Sequence, residues 1–310
     1  MSRAVIVGSG VVGTATGMGF QSTGHAVQFV DINQERVDQL RREGFAANTA
    51  IDLSGASAFV FLTLPTPNAG NRFELSAFRA GTEAVGAALR GATTFHTVVV
   101  RSTVPPGTCE GLVQPILEEV SGRRAGVDFG LASNPEFLRA ACAREDFLMP
   151  WMTVMGARSR RTIERLLELY QGFGGEVRTF SNPAEAEFVK CAHNLYNATK
   201  ISFWNEMWRV ARHASVDLDG ISKTVALSAE GSFNPEYGIQ GGNPYGGACL
   251  PKDTRGFLGY ARELGLEMPL LEGVIEVNEG LAAEVLDAPE PRVSSAGETI
   301  DLRDNHAGVQ

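Results

Sequence analysis

The sequence predicts an α/β fold in which a doubly wound parallel sheet is followed by a long helix and a smaller all-helical domain. Short apolar runs alternate with helical segments as far as residue 180, which is typical of parallel strands joined by crossover helices. Helical periodicity then continues without a break over 183–214. A glycine-rich loop also joins the first apolar run to the first helical segment.

The elements follow in order along the chain. Buried strands are predicted in the apolar runs "RAVIVG", "HAVQFVD", "AFVFLTL", "HTVVVRS", "DFGLASN", "WMTVMGA" and "EVRTF". Helices are predicted from Val11 to Thr23, in "NQERVDQLRREG", after Glu74 and over 159–172. Asn182 or Ser181 can cap the long helix, and Pro183 suits its first turn. The chain therefore divides into a first domain over 1–180, a helical domain over 181–285 and a polar tail over 286–310.

Composition narrows the classes of function. The formal net charge is -9 with no basic run, so nucleic acid is not an expected partner. No apolar stretch reaches the roughly 18 residues of a membrane span, and "MSRAVIVGSG" enters a strand directly, so neither a membrane segment nor a signal peptide is expected. The four cysteines form no C-x-x-C pair, which argues against a metal site or disulfides and favours the cytoplasm.

The loop "VIVGSGVVG" predicts a dinucleotide site of the Rossmann type. Gly8 permits a tight turn, Gly10 lets a pyrophosphate approach the backbone, and Gly13 allows the helix to pack closely on the strand. Val11 and Val12 begin that helix, whose free N–H groups face the phosphates. Asp31 ends the second strand, where a carboxylate binds ribose hydroxyls and favours NAD over NADP. The alternative is a glycine-rich turn of another protein with this fold.

Two further loops follow strands at the edge where such a crevice opens. "TLPTP" supplies Thr63, Pro65 and Thr66, and "RSTVPPGT" supplies Ser102 and Thr103. We expect all five to contact the cofactor.

Candidate catalytic residues lie further along the chain. Lys190 and Asn194 are four residues apart and so share one face of the long helix. Cys249 lies in "YGGACLPKDTRGF", beside two glycines and a lysine. Taken singly, Lys190 and Asn194 read equally as helix-surface residues and Cys249 as a buried structural thiol. Cys109, Cys142 and Cys191 are assigned to packing.

Six motifs in order resemble the UDP-glucose/GDP-mannose dehydrogenase family: "GSGVVG", "STVPPGT", "NPEFLR", "EFVKCAHN", "GGACLPKD" and "MPLLEGVIEVN". The resemblance implies oxidation of a sugar primary alcohol to a carboxylate with two NAD. It also implies a Rossmann domain joined by a long helix to a helical domain that dimerises and binds substrate, with a homodimer formed through helix 183–214.

The resemblance implies roles for individual residues. Cys249 is the nucleophile, which forms a thiohemiacetal and then a thioester. Lys190 and Asn194 stabilise the oxyanion. Thr103 holds a catalytic water, and Glu136 is the nearby carboxylate that tunes it.

The same resemblance assigns charged and substrate-binding positions. Asp253 orients Lys190 or a water and assists proton transfer, while Lys252 reaches toward the cofactor. Lys190 and Asn194 also contact the substrate. Further substrate contacts are expected at Phe137, Leu138, Arg139, Tyr245, Gly246 and Gly247.

Three departures from the family pattern affect these expectations. Ala140 occupies a position where the family usually has a carboxylate, which brings thioester hydrolysis into question. The stretch between Gly44 and "AFVFLTLPTP" is short, and the family's third, nucleotide-binding domain is expected to be absent. The substrate is then either smaller or held by loop 231–247.

Two other functions stay open at this point. A two-electron dehydrogenase of the β-hydroxyacid type shares the length, the Rossmann domain and a catalytic lysine, but needs no cysteine. A non-catalytic NAD-binding relative is consistent with Ala140 and with a missing domain.

Overall fold

The computed structural model describes residues 1–70, 72–139, 142–234, 237–239, 241–247 and 249–287. Ala140, parts of loop 231–247 and the predicted tail after Asp287 lie outside the described residues. The chain forms two compact units, Met1–Asn197 and the part from Ala198 onward.

The first unit contains an eight-stranded sheet and a two-stranded ribbon. The sheet order is β10-β9-β8-β7-β4-β1-β2-β3, and β5 pairs with β6 in the ribbon. The strands are β1 (Arg3–Val7), β2 (Ala26–Val30), β3 (Ala46–Asn48), β4 (Ala58–Leu62), β5 (Asn68–Ala69), β6 (Arg72–Phe73), β7 (Thr97–Val100), β8 (Gly130–Ser133), β9 (Met152–Gly156) and β10 (Glu176–Phe180).

Helices and one π-helical segment connect and follow the strands. The π-helical segment is Cys109–Val113. The α-helices are α1 (Val11–Ser22), α2 (Gln34–Arg42), α3 (Ser76–Arg90), α4 (Gln114–Ser121), α5 (Ala143–Leu148), α6 (Arg160–Leu169), α7 (Pro183–Ala214), α8 (Leu218–Ser228), α9 (Glu230–Phe233), α10 (Leu250–Glu263) and α11 (Pro269–Asp287).

The predicted doubly wound α/β fold is confirmed. From β1 the chain first builds outward through β2 and β3, and then returns to add β4, β7 and β8 on the other side. Apolar side chains cover both faces of the sheet in two separate clusters, one including Phe78 and Phe129 and the other including Phe20 and Phe29. Strands buried on both faces explain why the apolar runs in the sequence are continuous rather than alternating.

Three details differ from the expected all-parallel alternation, and one of them is the antiparallel ribbon of β5 and β6. The three-residue strand β3 was not predicted. Strand β9 runs antiparallel to β8, with Ser133 paired to Gly156. Helix α5 lies between these strands and has only six residues, about 9 Å in length. It is too short to carry the chain back across the sheet, which a parallel neighbour requires.

Helix α7 begins as predicted. The Asn182 side chain accepts a 3.0 Å hydrogen bond from the Ala184 N–H, and the Asn182 N–H donates to Glu185. The division between the two compact units falls inside this helix, between Asn197 and Ala198. The physical reason is that residues such as Ala186 and Glu187 in the first turns of α7 are buried.

The second unit is helical in the part that the structure describes. Its core cluster joins Val210 of α7 to Leu258 and Ala261 of α10. The Glu206 carboxylate accepts hydrogen bonds from the Leu270 and Leu271 N–H groups, at 2.7 and 3.2 Å, and so caps the start of α11. Within the described residues, no helix is long and apolar enough to cross a membrane.

Candidate active site

A cleft of about 1140 Å³ opens at the carboxyl ends of the strands in the first unit. It lies where the winding direction reverses between β1 and β4, the position at which doubly wound sheets bind ligands. Ten of the predicted cofactor-binding residues line it: Gly8, Gly10, Val11, Val12, Asp31, Thr63, Pro65, Thr66, Ser102 and Thr103.

The glycine-rich loop has the geometry that its sequence requires. Gly8 has φ +94°, and a Cβ there would lie 2.6 Å from the Thr63 carbonyl oxygen. A Cβ on Gly13 would lie 2.0 Å from the Gly8 oxygen, so α1 packs directly against the loop. No atom lies within 4 Å of a Cβ built on Gly10. The backbone at Gly10 is therefore open to a phosphate group, and the N-terminus of α1 faces that space.

Asp31 holds the loop as well as facing the cleft. Its Oδ2 accepts hydrogen bonds from the Ser9 N–H and hydroxyl at 2.8 and 2.6 Å, and its Oδ1 accepts from the Asn33 N–H at 3.0 Å. Burial by itself raises the pKa of Asp31, but these hydrogen bonds and the charge of Arg36 outweigh it and lower the pKa below its ordinary value. The carboxylate is therefore ionised at neutral pH, as ribose recognition requires.

Arg36 is a residue that the sequence argument missed. Its Nε donates to the Ser9 carbonyl at 3.1 Å and its Nη2 to the Thr14 hydroxyl at 2.8 Å. The guanidinium thus joins α2 to the start of α1 beside the cleft. A basic residue five positions after Asp31, in the first turn of the next helix, was the available signal.

Hydroxyl groups on the next two loops bind neighbouring backbone. Thr63 donates to the Gly8 carbonyl at 2.6 Å, Thr66 donates to the Thr103 carbonyl at 2.7 Å, and Ser102 donates to the Leu64 carbonyl at 2.7 Å. These bonds fasten the loops after β1, β4 and β7 to one another. Thr63, Thr66 and Ser102 therefore stabilise the shape of the cleft by holding the backbone of the loops that line it.

Lys190 and Glu136 form an ion pair at the cleft. The distance from Lys190 Nζ to Glu136 Oε1 is 3.2 Å, and the side chains are only 7% and 12% exposed. Glu136 lines the cleft itself, and its other oxygen accepts from the Leu138 N–H. The Lys190 ammonium also lies 5.3 Å from the centre of the Phe137 ring. Asn194, one turn further along α7, is exposed.

Arg139 forms an ion pair with Asp146, whereas Glu136 forms its ion pair with Lys190. Arg139 Nη2 lies 2.7 Å from Asp146 Oδ1, and its backbone N–H donates to Asp146 Oδ2 at 2.7 Å. The Arg139 hydrogen bonds lower the pKa of Asp146 to about 2. This interaction fixes the chain directly after Glu136, Phe137 and Leu138.

A buried polar network behind Glu136 was also missed. Asn134 directly follows β8 and is fully buried. Its Oδ1 accepts hydrogen bonds from Arg101 Nη1 at 2.8 Å and from the Tyr170 hydroxyl at 2.6 Å. Its Nδ2 donates to the Val154 carbonyl. Arg101 Nε also donates to Thr16 of α1 at 2.9 Å. The network ties α1, β7, β8, β9 and α6 together directly before Glu136. The residues of this network are far apart in sequence, so no local sequence pattern predicts their hydrogen bonds.

The second unit carries the remaining predicted residues. Cys249 is exposed and occupies the N-cap position of α10. Lys252 and Asp253 form an ion pair with each other in the first turn of α10.

The loop before Cys249 is anchored to α11. The Tyr245 N–H donates to Asn278 Oδ1 at 2.6 Å, and Asn278 Nδ2 donates to the Tyr245 carbonyl at 3.1 Å. Gly246 and Gly247 follow and are exposed, and Gly247 has φ +76°. Asn278 ends the motif "MPLLEGVIEVN", so its role was within reach of the sequence argument but was not assigned.

The other cysteines lie in different surroundings. Cys109 is fully buried, and burial followed by the nearby carboxylates raises the pKa of its thiol well above the ordinary value. Burial likewise raises the pKa of Cys191, whose thiol donates to the Val104 carbonyl at 3.5 Å. Cys142 is partly buried. Cys249 is thus the exposed cysteine of the four.

Family models match both units. The NAD-binding domain of the UDP-glucose/GDP-mannose dehydrogenase family matches residues 2–47 and 45–174, and the central domain of the same family matches residues 184–280. The cleft fits NAD, because its open Gly10 backbone suits a pyrophosphate and its ionised Asp31 suits a ribose.

Individual relatives agree with these matches. The chain is 32% identical to UDP-glucose 6-dehydrogenase of Haloferax volcanii, over 95% of this chain and 74% of the relative. It is 33% identical to GDP-mannose 6-dehydrogenase of Azotobacter vinelandii, over 92% and 70%. A ternary complex of GDP-mannose dehydrogenase from Pseudomonas aeruginosa superposes with a TM-score of 0.84 at 30% identity, over 93% and 70%. By motif, fold and sequence, the chain belongs to the UDP-glucose/GDP-mannose dehydrogenase family of NAD-dependent oxidoreductases.

Proposed function

We propose that the chain oxidises a primary alcohol of a sugar nucleotide, or of a related nucleoside or sugar phosphate, to a carboxylate with two NAD. The observation that carries the proposal is the Lys190–Glu136 pair. An ammonium that is only 7% exposed lies 3.2 Å from a carboxylate that lines the cofactor cleft. Groups of this kind stabilise charge that develops on a reacting oxygen and on an attacking water.

The first stage is oxidation of the alcohol to the aldehyde. The Lys190 ammonium and the Asn194 amide donate hydrogen bonds to the substrate oxygen while negative charge develops on it. Two molecules of NAD supply the oxidising power, one for each hydride. The backbone of Phe137, Leu138 and Arg139 holds the sugar, and the Arg139–Asp146 pair fixes that backbone.

The second stage uses Cys249. Its thiolate adds to the aldehyde carbon, and the resulting thiohemiacetal loses a hydride to become a thioester. Water on Thr103, activated by Glu136, then attacks the thioester carbon and releases the carboxylate and the thiolate. The sum is one alcohol, two NAD⁺ and one water giving one carboxylate, two NADH and three protons. Asp253 assists the proton transfers, and Lys252 contacts the cofactor.

We propose that residues 181–285 form the domain that binds substrate and dimerises. Tyr245, Gly246 and Gly247 contact the substrate, in a loop held by Asn278.

Helix α7 presents large apolar side chains that are 41–68% exposed, a surface that suits a second copy of the chain. They are Phe188, Leu195, Ile201, Phe203 and Trp208. Sedimentation of Leu195→Asp beside the unaltered chain tests the dimer. The free cysteines are consistent with a cytoplasmic location.

Turnover of a substrate panel tests the reaction. The chain is incubated with NAD and UDP-sugars, GDP-sugars and sugar phosphates, and NADH is counted per product. Two NADH and a carboxylate are expected. One NADH with an aldehyde or keto product would instead select a two-electron dehydrogenase, and NAD binding without turnover would select a non-catalytic relative. The Cys249→Ser variant should form no acid, and unchanged acid formation would exclude the covalent route.

A further inference from the structure

Glu187 is a buried carboxylate on α7 that no step above uses. Glu187 is only 2% exposed. The carboxylate accepts hydrogen bonds from the Gly107 N–H at 2.5 Å and from the Cys109 N–H at 2.8 Å. The Cys109 N–H begins the π-helical segment Cys109–Val113, and Gly107 lies two residues before it. A carboxylate from a distant part of the chain therefore caps a helical N-terminus, where negative charge is favoured.

The capped segment continues directly from the cofactor-side loop 101–108. That loop contains Ser102 and Thr103, both of which line the cleft. It ends in a tight turn, with Gly107 at φ +91° and the Thr108 hydroxyl donating to the Pro105 carbonyl at 2.6 Å. A π-helical turn is a less regular arrangement than an α-helical one, and such turns are frequent at functional sites. The position of the loop thus depends on what holds its C-terminal end.

The same residue is connected to the catalytic face of α7. Glu187 precedes Lys190 by three residues, so both lie on one side of the helix. Lys190 in turn pairs with Glu136 at the cleft. One carboxylate therefore joins the end of the loop that carries Thr103 to the helix that carries Lys190.

We propose that Glu187 is a positioning residue whose carboxylate holds loop 101–108 against α7, so that Thr103 and Lys190 keep their spacing. The proposal rests on the proposed function for the roles of Thr103 and Lys190, whereas the anchoring itself is a property of the fold.

The surroundings make this anchor sensitive to protons. The thiols of Cys109 and Cys191 and the carboxylate of Glu110 face Glu187, and Glu110 is itself paired with Arg158 at 2.8 Å. Among the described residues, no lysine, arginine or histidine forms an ion pair with Glu187. Burial raises the pKa of Glu187 to about 7, although the backbone N–H groups oppose the shift. A protonated carboxyl has an O–H donor facing these N–H groups and holds them less well.

The first measurement needs no substrate. Amide hydrogen exchange of Gly107, Thr108 and Cys109 is followed against pH in Glu187→Gln, in Glu187→Asp and in the unaltered chain. Corrected for intrinsic rates, protection in the unaltered chain should drop as pH falls through about 7. In Glu187→Gln this protection should be about tenfold lower and should not change with pH. The glutamine side chain keeps one acceptor oxygen but adds an NH₂ donor that cannot accept from the backbone N–H groups. Glu187→Asp should retain the pH dependence. Glu119→Gln, on the exposed side of α4, is the matched control.

The second measurement uses turnover. The kcat of Glu187→Gln should fall about tenfold and lose the limb of its pH profile near 7, while KM for NAD changes less. The proposal would be overturned if Glu187→Gln had the same hydrogen-exchange protection at residues 107–109 and the same kcat–pH profile as the unaltered chain. The two failures are distinguishable: absence of turnover with pH-dependent protection counts against the proposed function alone. Normal turnover with unaltered protection counts against Glu187 alone.

Discussion

Lys190 Nζ lies 3.2 Å from Glu136 Oε1, and this pair is almost completely removed from solvent. Removing one member leaves an unpaired charge, which is costly in such a site. We expect Lys190→Met to lower the free energy of unfolding by about 3 kcal/mol, measured by urea denaturation. The double variant with Glu136→Gln should recover part of that loss. A double variant as unstable as the sum of both single variants would show that the two residues do not interact.

Tyr170 completes the network around Asn134. Its hydroxyl donates to Asn134 Oδ1 at 2.6 Å and accepts from Arg101 at 3.1 Å. Tyr170→Phe should therefore cost about 1–3 kcal/mol of unfolding free energy. The exposed Tyr260 provides the control, since Tyr260→Phe is expected to change stability by less than about 0.5 kcal/mol. Equal stability of the two variants would mean that the buried hydrogen bonds contribute nothing.

Asp31 should control both affinity and cofactor choice. Asp31→Ala removes the acceptor for ribose hydroxyls and for Ser9. We expect the Kd for NAD to rise by about tenfold or more, and the preference for NAD over NADP to shrink. Fluorescence titration with both nucleotides measures this. Asp38→Ala, on the exposed side of α2, is the control. A preference for NAD that persists in Asp31→Ala would place its origin elsewhere.

The four cysteines should react at very different rates. Cys249 is exposed, whereas burial raises the pKa of the Cys109 and Cys191 thiols. Iodoacetamide should therefore modify Cys249 first and Cys109 last, as peptide mass spectrometry will show. Modification of Cys249 should stop acid formation and leave NAD binding intact. Acid formation that survives full modification of Cys249 contradicts the proposed nucleophile.

Glu187 should give stability an unusual dependence on pH. Its pKa is raised from an ordinary 4.5 to about 7 in the folded chain. The folded state thus binds the proton more tightly than the unfolded state, and this contribution is fully present below pH 4.5 and lost as pH rises to about 7. Thermal unfolding in matched buffers should show a shallower decline over this range in Glu187→Gln. An identical decline in both chains would assign the effect to other groups.

Features that depend on local chain properties were predictable from sequence. The apolar runs became strands because both faces of the sheet are buried, and Gly8 and Gly13 lie where a side chain does not fit. By contrast, the antiparallel direction of β9 depends on the length of α5. The buried Asn134 network joins residues 20–85 positions apart, and Glu187 accepts hydrogen bonds from residues about 80 positions away, so neither has a local pattern.

The ends of the sheet have a consequence for the protein in concentrated solution. A strand at a sheet edge has unpaired backbone groups and can template the addition of a strand from another molecule. At one end, β3 has three residues, which is too few for a stable added strand. At the other end, β10 is mostly exposed and carries Glu176 and Arg178, which pair at 2.6 Å. A short edge and a charged edge both oppose aggregation, so the sheet protects the chain from self-association along its strands.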